Sequence, residues 1–157
     1  MNKKQEIEIN EGENKKLNFS DGSSILLTGA SAQKNNLSTQ SIAAQSTLTN
    51  KNTVVFSWVV NKVTVYMDVE YTLTRSPNGM VAYITRVQPG SETYGYGVVG
   101  SYNGDKSIDS NNAITAEASA SFQVGIDAVG MSSIKTWYLI TKISDGRIIY
   151  ANKTPAI

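Results

Sequence analysis

The chain has 157 residues, which is the length of one ordinary domain, and 14 basic against 13 acidic residues leave a formal net charge of +1. This near-neutral balance argues against a nucleic-acid partner, because binding to phosphates needs an excess of cations. The chain also lacks cysteine and histidine, which excludes disulfides, thiol nucleophiles, the usual zinc sites and histidine-dependent triads.

Charged and polar residues dominate the first third of the chain. Residues 1–16 hold eight charges and two alternating isoleucines, which indicates a charged edge strand or arm. Asp21-Gly22 between the short apolar stretches of residues 17–28 is typical of a β-hairpin turn. Residues 29–52 are rich in Ser, Thr, Gln, Asn and Ala, and we interpret them as a long polar connection.

A β-hairpin is predicted where apolar and polar residues begin to alternate, from Thr53 onward. If Asn61-Lys62 forms a two-residue turn, Val60 lies opposite Val63, and every second pair outward from them is also apolar. One face of the hairpin is then entirely apolar, and a slip by one residue would destroy this match. The pattern therefore predicts two strands whose apolar face lies in the core.

The turn sequence Ser-Pro-Asn-Gly at 76–79 predicts a second hairpin that continues the same sheet. A turn there sets Ala82 opposite Leu73, so the strand that follows adds apolar residues to the same face. Gln-Pro-Gly at 88–90 is expected to end that strand, because proline has no amide hydrogen to donate to the ladder.

Glycines interrupt the next strand, which is predicted over 94–102. The segment from Gly95 to Gly100 matches the G-x-G-x-x-G pattern of dinucleotide-binding turns, but that function needs a helix after the glycines. The residues that follow have no helical periodicity, so we interpret the glycines as a kink or bulge in a strand. Residues 104–112 are predicted to form a polar loop.

The longest alternating segment covers residues 114–126, where small or apolar residues alternate with polar ones. It predicts a long strand whose inner face carries three alanines. Two further strands flank Asp145-Gly146, where a two-residue turn sets Ile143 opposite Ile148. The second half of the chain is therefore predicted to be strands and short turns.

The composition agrees with a fold built from strands. Val, Ile, Thr, Tyr, Phe and Trp together make 54 residues and leucine makes 7, which favours pleated sheets over helices. About eight strands, mostly linked by hairpins, are predicted from the alternation and the turns. We therefore predict one all-β domain over residues 1–157, an antiparallel β-sandwich or partly open barrel.

Aromatic rings bordered by hydrogen-bonding side chains are the local feature best suited to ligand binding. Tyr94, Tyr96 and Tyr102 surround the glycines, and Asn103 and Asp105 follow them. Tyrosine rings stack on sugar faces, and amide and carboxylate groups bind hydroxyls. We take these five residues as the candidate binding site, and we predict no catalytic group, no metal and no other cofactor.

A non-catalytic binding or interaction module is the function that these observations favour, with a glycan, a cell-wall polymer or a protein as the ligand. Residues 114–126 also have the length of a membrane-spanning β-strand, so the alternative is a membrane-active or pore-forming protein. Asp68 and Glu70 share one strand face about 7 Å apart, which leaves a carboxylate-dependent hydrolase as a weaker candidate. No apolar run has the length of a membrane-spanning helix.

Two stretches of the chain carry a resemblance to known proteins. Residues 17–23 and the C-terminal run 122–138 resemble small secreted domains of unknown function from Gram-positive bacteria (Firmicutes). The resemblance implies an extracellular or cell-surface β domain and assigns no functional residues. The charged start at residues 1–4 is not followed by the apolar segment of a signal peptide, which leaves a cytosolic start or a mature domain with an added methionine. The composition, rich in Ser, Thr and Asn and free of cysteine, favours the mature part of a secreted protein.

Overall fold

The computed structural model describes residues 5–19, 23–29, 33–34, 47–128 and 131–154. Within these residues the protein consists of strands and turns, with no helix. In chain order the strands are β1 (Gln5–Asn10), β2 (Asn14–Asn18), β3 (Ser24–Gly29), β4 (Gln33–Lys34), β5 (Leu48–Ser57), β6 (Lys62–Ser76), β7 (Gly79–Tyr94), β8 (Val98–Ser110), β9 (Thr115–Ala128), β10 (Met131–Ser144) and β11 (Arg147–Thr154).

The strands form two antiparallel sheets. Sheet A has the order β1-β11-β10-β9-β8, and sheet B has the order β2-β3-β5-β6-β7, with the short β4 also paired to β5. The chain passes between the sheets at both flanks, from β1 to β2 and from β7 to β8. The described strands do not close into a barrel, so the all-β prediction is confirmed and the sandwich is the architecture found.

The core lies between the sheets and follows the period-two pattern of the sequence. Along β6 and β9, buried residues alternate with partly exposed ones. The three alanines of β9 are buried on its inner face, as predicted. The largest fully buried side chains belong to Leu27, Val54, Val63, Val65, Met67, Val69, Tyr71, Ile84, Phe122, Leu139, Ile143 and Tyr150.

Two hairpins have the predicted register. The turn after β6 places Leu73 opposite Ala82, and the turn after β10 places Ile143 opposite Ile148. In the second turn Gly146 has a φ angle of 81°, a conformation that residues with a Cβ atom rarely adopt. The turn residues and the apolar alternation were therefore sufficient to predict how these strands pair.

The hairpin of β5 and β6 has a register different from the predicted one. Phe56 pairs with Val63, whereas a two-residue turn would pair Val60 with Val63. Residues 58–61 form a wider loop between the strands instead. The partner of Val63 moves by four positions, an even number, so the predicted apolar face still points into the core.

Strand β7 continues through the Gln-Pro-Gly sequence that was expected to end it. Pro89 lies opposite Met67 in the ladder with β6. β7 is an edge strand of sheet B. The Val87 carbonyl on this strand points away from β6 and accepts a hydrogen bond from the Lys106 ammonium at 3.1 Å. Because outward backbone groups recur at every second residue, the amide hydrogen that Pro89 lacks would also point outward, and no ladder bond is lost.

The predicted polar loop over 104–112 is mostly strand. β8 pairs with β9 as far as Ser110, with one register shift between Tyr102 and Lys106 and a second just before its end. Gly104, inside the first shift, has a φ angle of 91°. Polar residues and glycine are depleted in strands, but an edge strand such as β8 accommodates them through bulges.

The charged N-terminal segment supplies two edge strands. β1 ends the order of sheet A and β2 ends the order of sheet B. The hairpin predicted over residues 17–28 forms between β2 and β3, where Asn18 pairs with Ser24. Its predicted turn residues, Asp21 and Gly22, lie outside the described residues.

The connection predicted over residues 29–52 ends earlier than expected. β5 already begins at Leu48, and its first residues pair with β6 and β4. The side chains of Asn50 and Asn52 on this strand are buried. A strand with a polar inner face cannot be recognised from apolar alternation, which explains the error. Residues 30–32 and 35–46 lie outside the described part of the chain.

Candidate functional site

Four large apolar side chains are exposed at one end of the sandwich. Val59 and Val60 are 82% and 76% exposed, and Tyr94 and Tyr96 are 71% and 91% exposed. The valines lie in the loop between β5 and β6, and the tyrosines lie at the end of β7 and in the turn before β8. We call these four side chains the apolar tip.

The two loops of the apolar tip hold each other in place. Within the first loop, the Trp58 amide donates to the Asn61 carbonyl at 2.8 Å. The Asn61 side-chain amide then donates to the Tyr96 carbonyl in the second loop at 3.2 Å. A Cβ atom on Gly95 would lie 2.5 Å from Asn61 Cβ, so the loops are in contact and only glycine fits between them.

The glycines around Tyr96 form a turn between the two sheets. Gly95 and Gly97 have φ angles of 97° and 76°, where residues with a Cβ atom are strained. They let the chain leave β7 and enter β8 within three residues. The strand predicted over 94–102 is therefore divided by a turn, which leaves the Tyr96 ring in solvent.

A depression of about 380 Å³ lies beside the apolar tip and is lined by Lys62, Thr64, Glu92, Thr93 and Tyr94. The β6–β7 register sets this lining, because Lys62 pairs with Tyr94 and Thr64 pairs with Glu92. Side chains of directly opposite residues share one face of a sheet about 5 Å apart. This outer depression therefore brings an ammonium group, a carboxylate, a hydroxyl and a tyrosine ring together.

The charged groups of the outer depression are open to solvent. Lys62 and Glu92 are both exposed, and among the residues that the structure describes neither has an ion-pair partner. Both project from paired strands rather than from loops, so their positions are held by the ladder. The ladder therefore fixes the points at which the donor and the acceptor leave the sheet, and both groups are available to a polar ligand.

The structure brings two of the five predicted site residues together and separates the other three from them. Tyr94 and Tyr96 both belong to the apolar tip. Tyr102 instead packs against the core, with its ring centroid 6.0 Å from that of Phe122. It lies about 13 Å along β8 from Val98, the first residue of that strand. Its ring is therefore not part of the exposed tyrosine surface.

Asn103 and Asp105 lie in the irregular part of β8, next to Tyr102. The Asn103 side-chain amide donates to Ser121 Oγ at 3.3 Å, and Asp105 is exposed. Both belong to sheet A, whereas the outer depression belongs to sheet B. The five residues do not form one surface, and the candidate site is the apolar tip together with the outer depression.

Sequence reasoning missed the polar side chains that complete this site. The predicted two-residue turn removed Lys62 from the sheet, and no partner strand was assigned to Glu92. A signal was nevertheless present in the alternation. Because Val63 and Val65 are buried, Lys62 and Thr64 must point to the opposite, outer face.

Asp68 and Glu70, the pair behind the hydrolase hypothesis, each have a polar partner. The Asp68 side chain is 30% exposed and lies 3.9 Å from the Lys51 ammonium, and Glu70 Oε1 accepts the Thr85 hydroxyl at 3.2 Å. A general acid needs a carboxyl group shielded from solvent, so this arrangement does not favour hydrolysis. Within the described residues, no group of three or more acidic side chains could hold a metal ion.

A second depression, of about 400 Å³, lies between β7 and β8 and is lined by Thr85, Arg86, Val87, Lys106, Ser107 and Ile108. The Lys106 ammonium is already used there, because it donates to the Val87 carbonyl at 3.1 Å and joins the two strands. This lining contains no aromatic ring. The second depression therefore lacks the flat apolar surface that distinguishes the first, and it provides a comparison surface for experiments.

No family model matches the chain, and no curated protein or solved structure matches it either. The resemblance to secreted domains therefore stays a prediction. Over the described residues, no helix has the length and apolar character needed to cross a membrane. The function has to be inferred from the side chains of the candidate site.

Proposed function

We propose that the protein is a non-catalytic extracellular module that binds a saccharide, a glycan or a cell-wall polymer, in the outer depression. The observation that carries the proposal is the pairing of Tyr94 with Lys62 beside the pairing of Glu92 with Thr64. This pairing places an exposed aromatic ring next to a donor, an acceptor and a hydroxyl. Sugar rings offer the complementary surface, an apolar face with a rim of hydroxyl groups.

Each side chain of the outer depression has a distinct role in the proposed complex. Tyr94 provides apolar surface for one face of a sugar ring. Lys62 donates to hydroxyl oxygens, and Glu92 accepts hydroxyl hydrogens with its carboxylate oxygens. Thr64 supplies a hydroxyl that both donates and accepts. Tyr96, in the adjacent turn, extends the apolar surface toward a neighbouring sugar unit.

Binding without hydrolysis follows from the placement of the carboxylates. Glycoside hydrolysis uses two carboxyl groups that flank the scissile bond about 5–10 Å apart. The described lining of the outer depression contains one carboxylate, that of Glu92. Along β6, Asp68 follows Thr64 by about 13 Å and pairs with Lys51. We therefore assign the site to recognition and not to bond cleavage.

Binding to a panel of saccharides tests this proposal. The purified protein is incubated with peptidoglycan, intact cell walls, chitin, cellulose and a printed glycan array. We expect at least one of them to bind, and Tyr94→Ala to weaken that binding by about tenfold or more, which corresponds to about 1.4 kcal/mol of lost stacking. Lys62→Ala and Glu92→Gln should also weaken it, because each removes hydrogen bonds to hydroxyl groups.

Tyr83→Ala is the matched control for the tyrosine variant. Tyr83 also lies on β7 and is 51% exposed, but it does not line the outer depression. Its loss should leave saccharide binding unchanged. A panel with no bound saccharide, or equal losses in Tyr83→Ala and Tyr94→Ala, would contradict the proposed function.

A further inference from the structure

We propose that the apolar tip inserts into the interfacial region of a lipid bilayer. The module would then bind saccharides that are displayed at a membrane surface. The saccharide part of this inference rests on the proposed function. The bilayer part has an independent basis, the exposure of Val59 and Val60.

Saccharide binding leaves the two valines of the apolar tip unexplained. Val59 and Val60 are almost entirely in solvent, and a branched aliphatic side chain offers a sugar neither a flat ring nor a hydrogen bond. Residues 58–61 form a loop whose exposed positions could be polar without loss of core packing. Neighbouring exposed apolar side chains mark an interaction surface. The two valines therefore indicate an interaction other than saccharide binding.

The chemistry of the apolar tip matches that of a bilayer interface. The two loops, 58–61 and 94–97, contain no charged residue. Tyrosine and tryptophan favour the interfacial region, because the ring is apolar and one end is polar. Tyr94 and Tyr96 have this character, and the valines beside them supply apolar volume for the acyl boundary. Lys62 lies opposite Tyr94, and Glu92 lies two residues before Tyr94 on β7, so in this orientation both charged groups would lie near the headgroups.

The size and shape of the apolar tip argue against a protein partner, including a second copy of this chain. Complete burial of its four side chains would remove roughly 600 Å² from solvent, taking about 150–250 Å² for each aromatic residue and less for each valine. A stable protein interface buries about 800 Å² on each partner. The four side chains are largely uncovered, and a bilayer accepts exposed apolar side chains without a matching cavity.

The expected attachment is weak and reversible. Burial of each valine favours the bilayer by about tenfold in the partition coefficient. A contact of this size gives marginal, reversible binding to a membrane, as one lipid chain does, and stable attachment requires a second interaction. The saccharide in the outer depression would provide that second interaction, since the depression lies beside the tip and a ligand held by Lys62 and Glu92 leaves the two valines free to contact the bilayer.

Co-sedimentation with phosphatidylcholine vesicles tests the inference without knowledge of the saccharide. We expect the wild-type protein to partition onto the vesicles, and the double variant Val59→Ser/Val60→Ser to lose about a hundredfold of that partition, about tenfold for each valine. Ile108→Ser is the matched control, because Ile108 is 42% exposed on β8, outside the tip. Circular dichroism melts verify that all three proteins are folded.

Three results would overturn the inference: wild-type protein that stays in the supernatant, equal partition of both variants, or a wild-type dimer in sedimentation equilibrium that Val59→Ser/Val60→Ser dissociates. The last result would show that a second copy covers the tip. The saccharide panel distinguishes the two proposals. If the protein binds a saccharide of the panel but not the vesicles, only the bilayer proposal is contradicted. If it binds the vesicles but no saccharide, only the proposed function is contradicted.

Discussion

Asn52 and Asn152, 100 positions apart in the chain, form a reciprocal pair of side-chain hydrogen bonds between the two sheets. Asn52 Nδ2 donates to Asn152 Oδ1 at 2.8 Å, and Asn152 Nδ2 donates to Asn52 Oδ1 at 3.1 Å. Asn152 Oδ1 also accepts the Ile140 amide at 2.9 Å. Both side chains are buried, so the pair joins β5 of sheet B to β11 of sheet A in one alignment.

Loss of one member of this pair should destabilise the protein strongly. Asn152→Ala leaves the Asn52 side chain and the Ile140 amide without that partner in a buried site, and we expect the free energy of unfolding to fall by roughly 2–4 kcal/mol. The double variant with Asn52→Ala should lose less than the sum of the two single losses, because both remove the same bonds. Urea unfolding of the four proteins measures this coupling, and additive losses would show that the two side chains act independently.

Tyr71 predicts a loss of stability at alkaline pH. Its side chain is buried, and this burial, followed by the negative charge of Glu11, raises the pKa of the phenol from 10.0 to about 12. The folded state therefore holds the proton more tightly than the unfolded state. Its stabilising contribution is complete below pH 10 and is lost as the pH rises toward 12, by roughly 2–3 kcal/mol in the free energy of unfolding.

Tyr71→Phe is the control for this alkaline transition, because it keeps the ring and removes the titrating proton. Between pH 10 and 12, denaturant melts of the variant should show a smaller decline than those of the wild type. Some decline should persist, since burial also raises the pKa of Tyr150. Identical declines in the two proteins would contradict the burial of Tyr71.

The contact between Gly100 and Val63 predicts a compensating pair of substitutions. A Cβ atom on Gly100 would lie 2.2 Å from Val63 Cγ1, so Gly100→Ala should destabilise the protein by about 1–3 kcal/mol through overpacking. Val63→Ala alone leaves a cavity in the core and should also destabilise it. The double variant should lose less than the sum, because the new methyl group occupies the vacated space. If thermal or urea melts show that the double variant loses as much stability as the two single variants together, the close approach of Gly100 to Val63 is contradicted.

The loop position of Val59 and Val60 predicts that their removal leaves stability unchanged. Val59→Ser/Val60→Ser should alter the free energy of unfolding by no more than about 0.5 kcal/mol, as expected for exposed positions. If Val60 instead packed opposite Val63, as a two-residue turn requires, the loss would be about 1.5 kcal/mol or more. Urea melts separate these outcomes and also establish that the variant suits the vesicle experiment.

Much of the fold could be predicted because period-two patterning determines which face of a strand is buried. The alternation predicts Val63 on the core face, and Val63 is buried, although its partner on β5 is Phe56 and not the predicted Val60. Face and register are separate properties, since a shift by an even number of residues preserves the face. The register depended on the length of loop 58–61, for which Asn61-Lys62 is a poor signal.

The remaining errors have physical causes that a single sequence conceals. Asn52 lies on an inner face because Asn152 satisfies its hydrogen bonds from the other sheet, and that partnership is invisible before the sheets are assembled. Tyr102 was grouped with Tyr94 and Tyr96 by proximity in the chain, but the strand orients its ring toward Phe122. The outer depression combines β6 with β7, so it could be found only once their register was known.

An amide NMR titration with a saccharide that the panel identifies is the most direct test of the outer depression as the binding site. Shift changes report which backbone amides the ligand perturbs. We expect the changes to concentrate at residues 62–64 and 92–96, on neighbouring strands of sheet B, with residues 103–109 of β8 unaffected. Changes centred on Arg86 and Lys106 in the second depression, or scattered over the surface, would contradict binding at Tyr94.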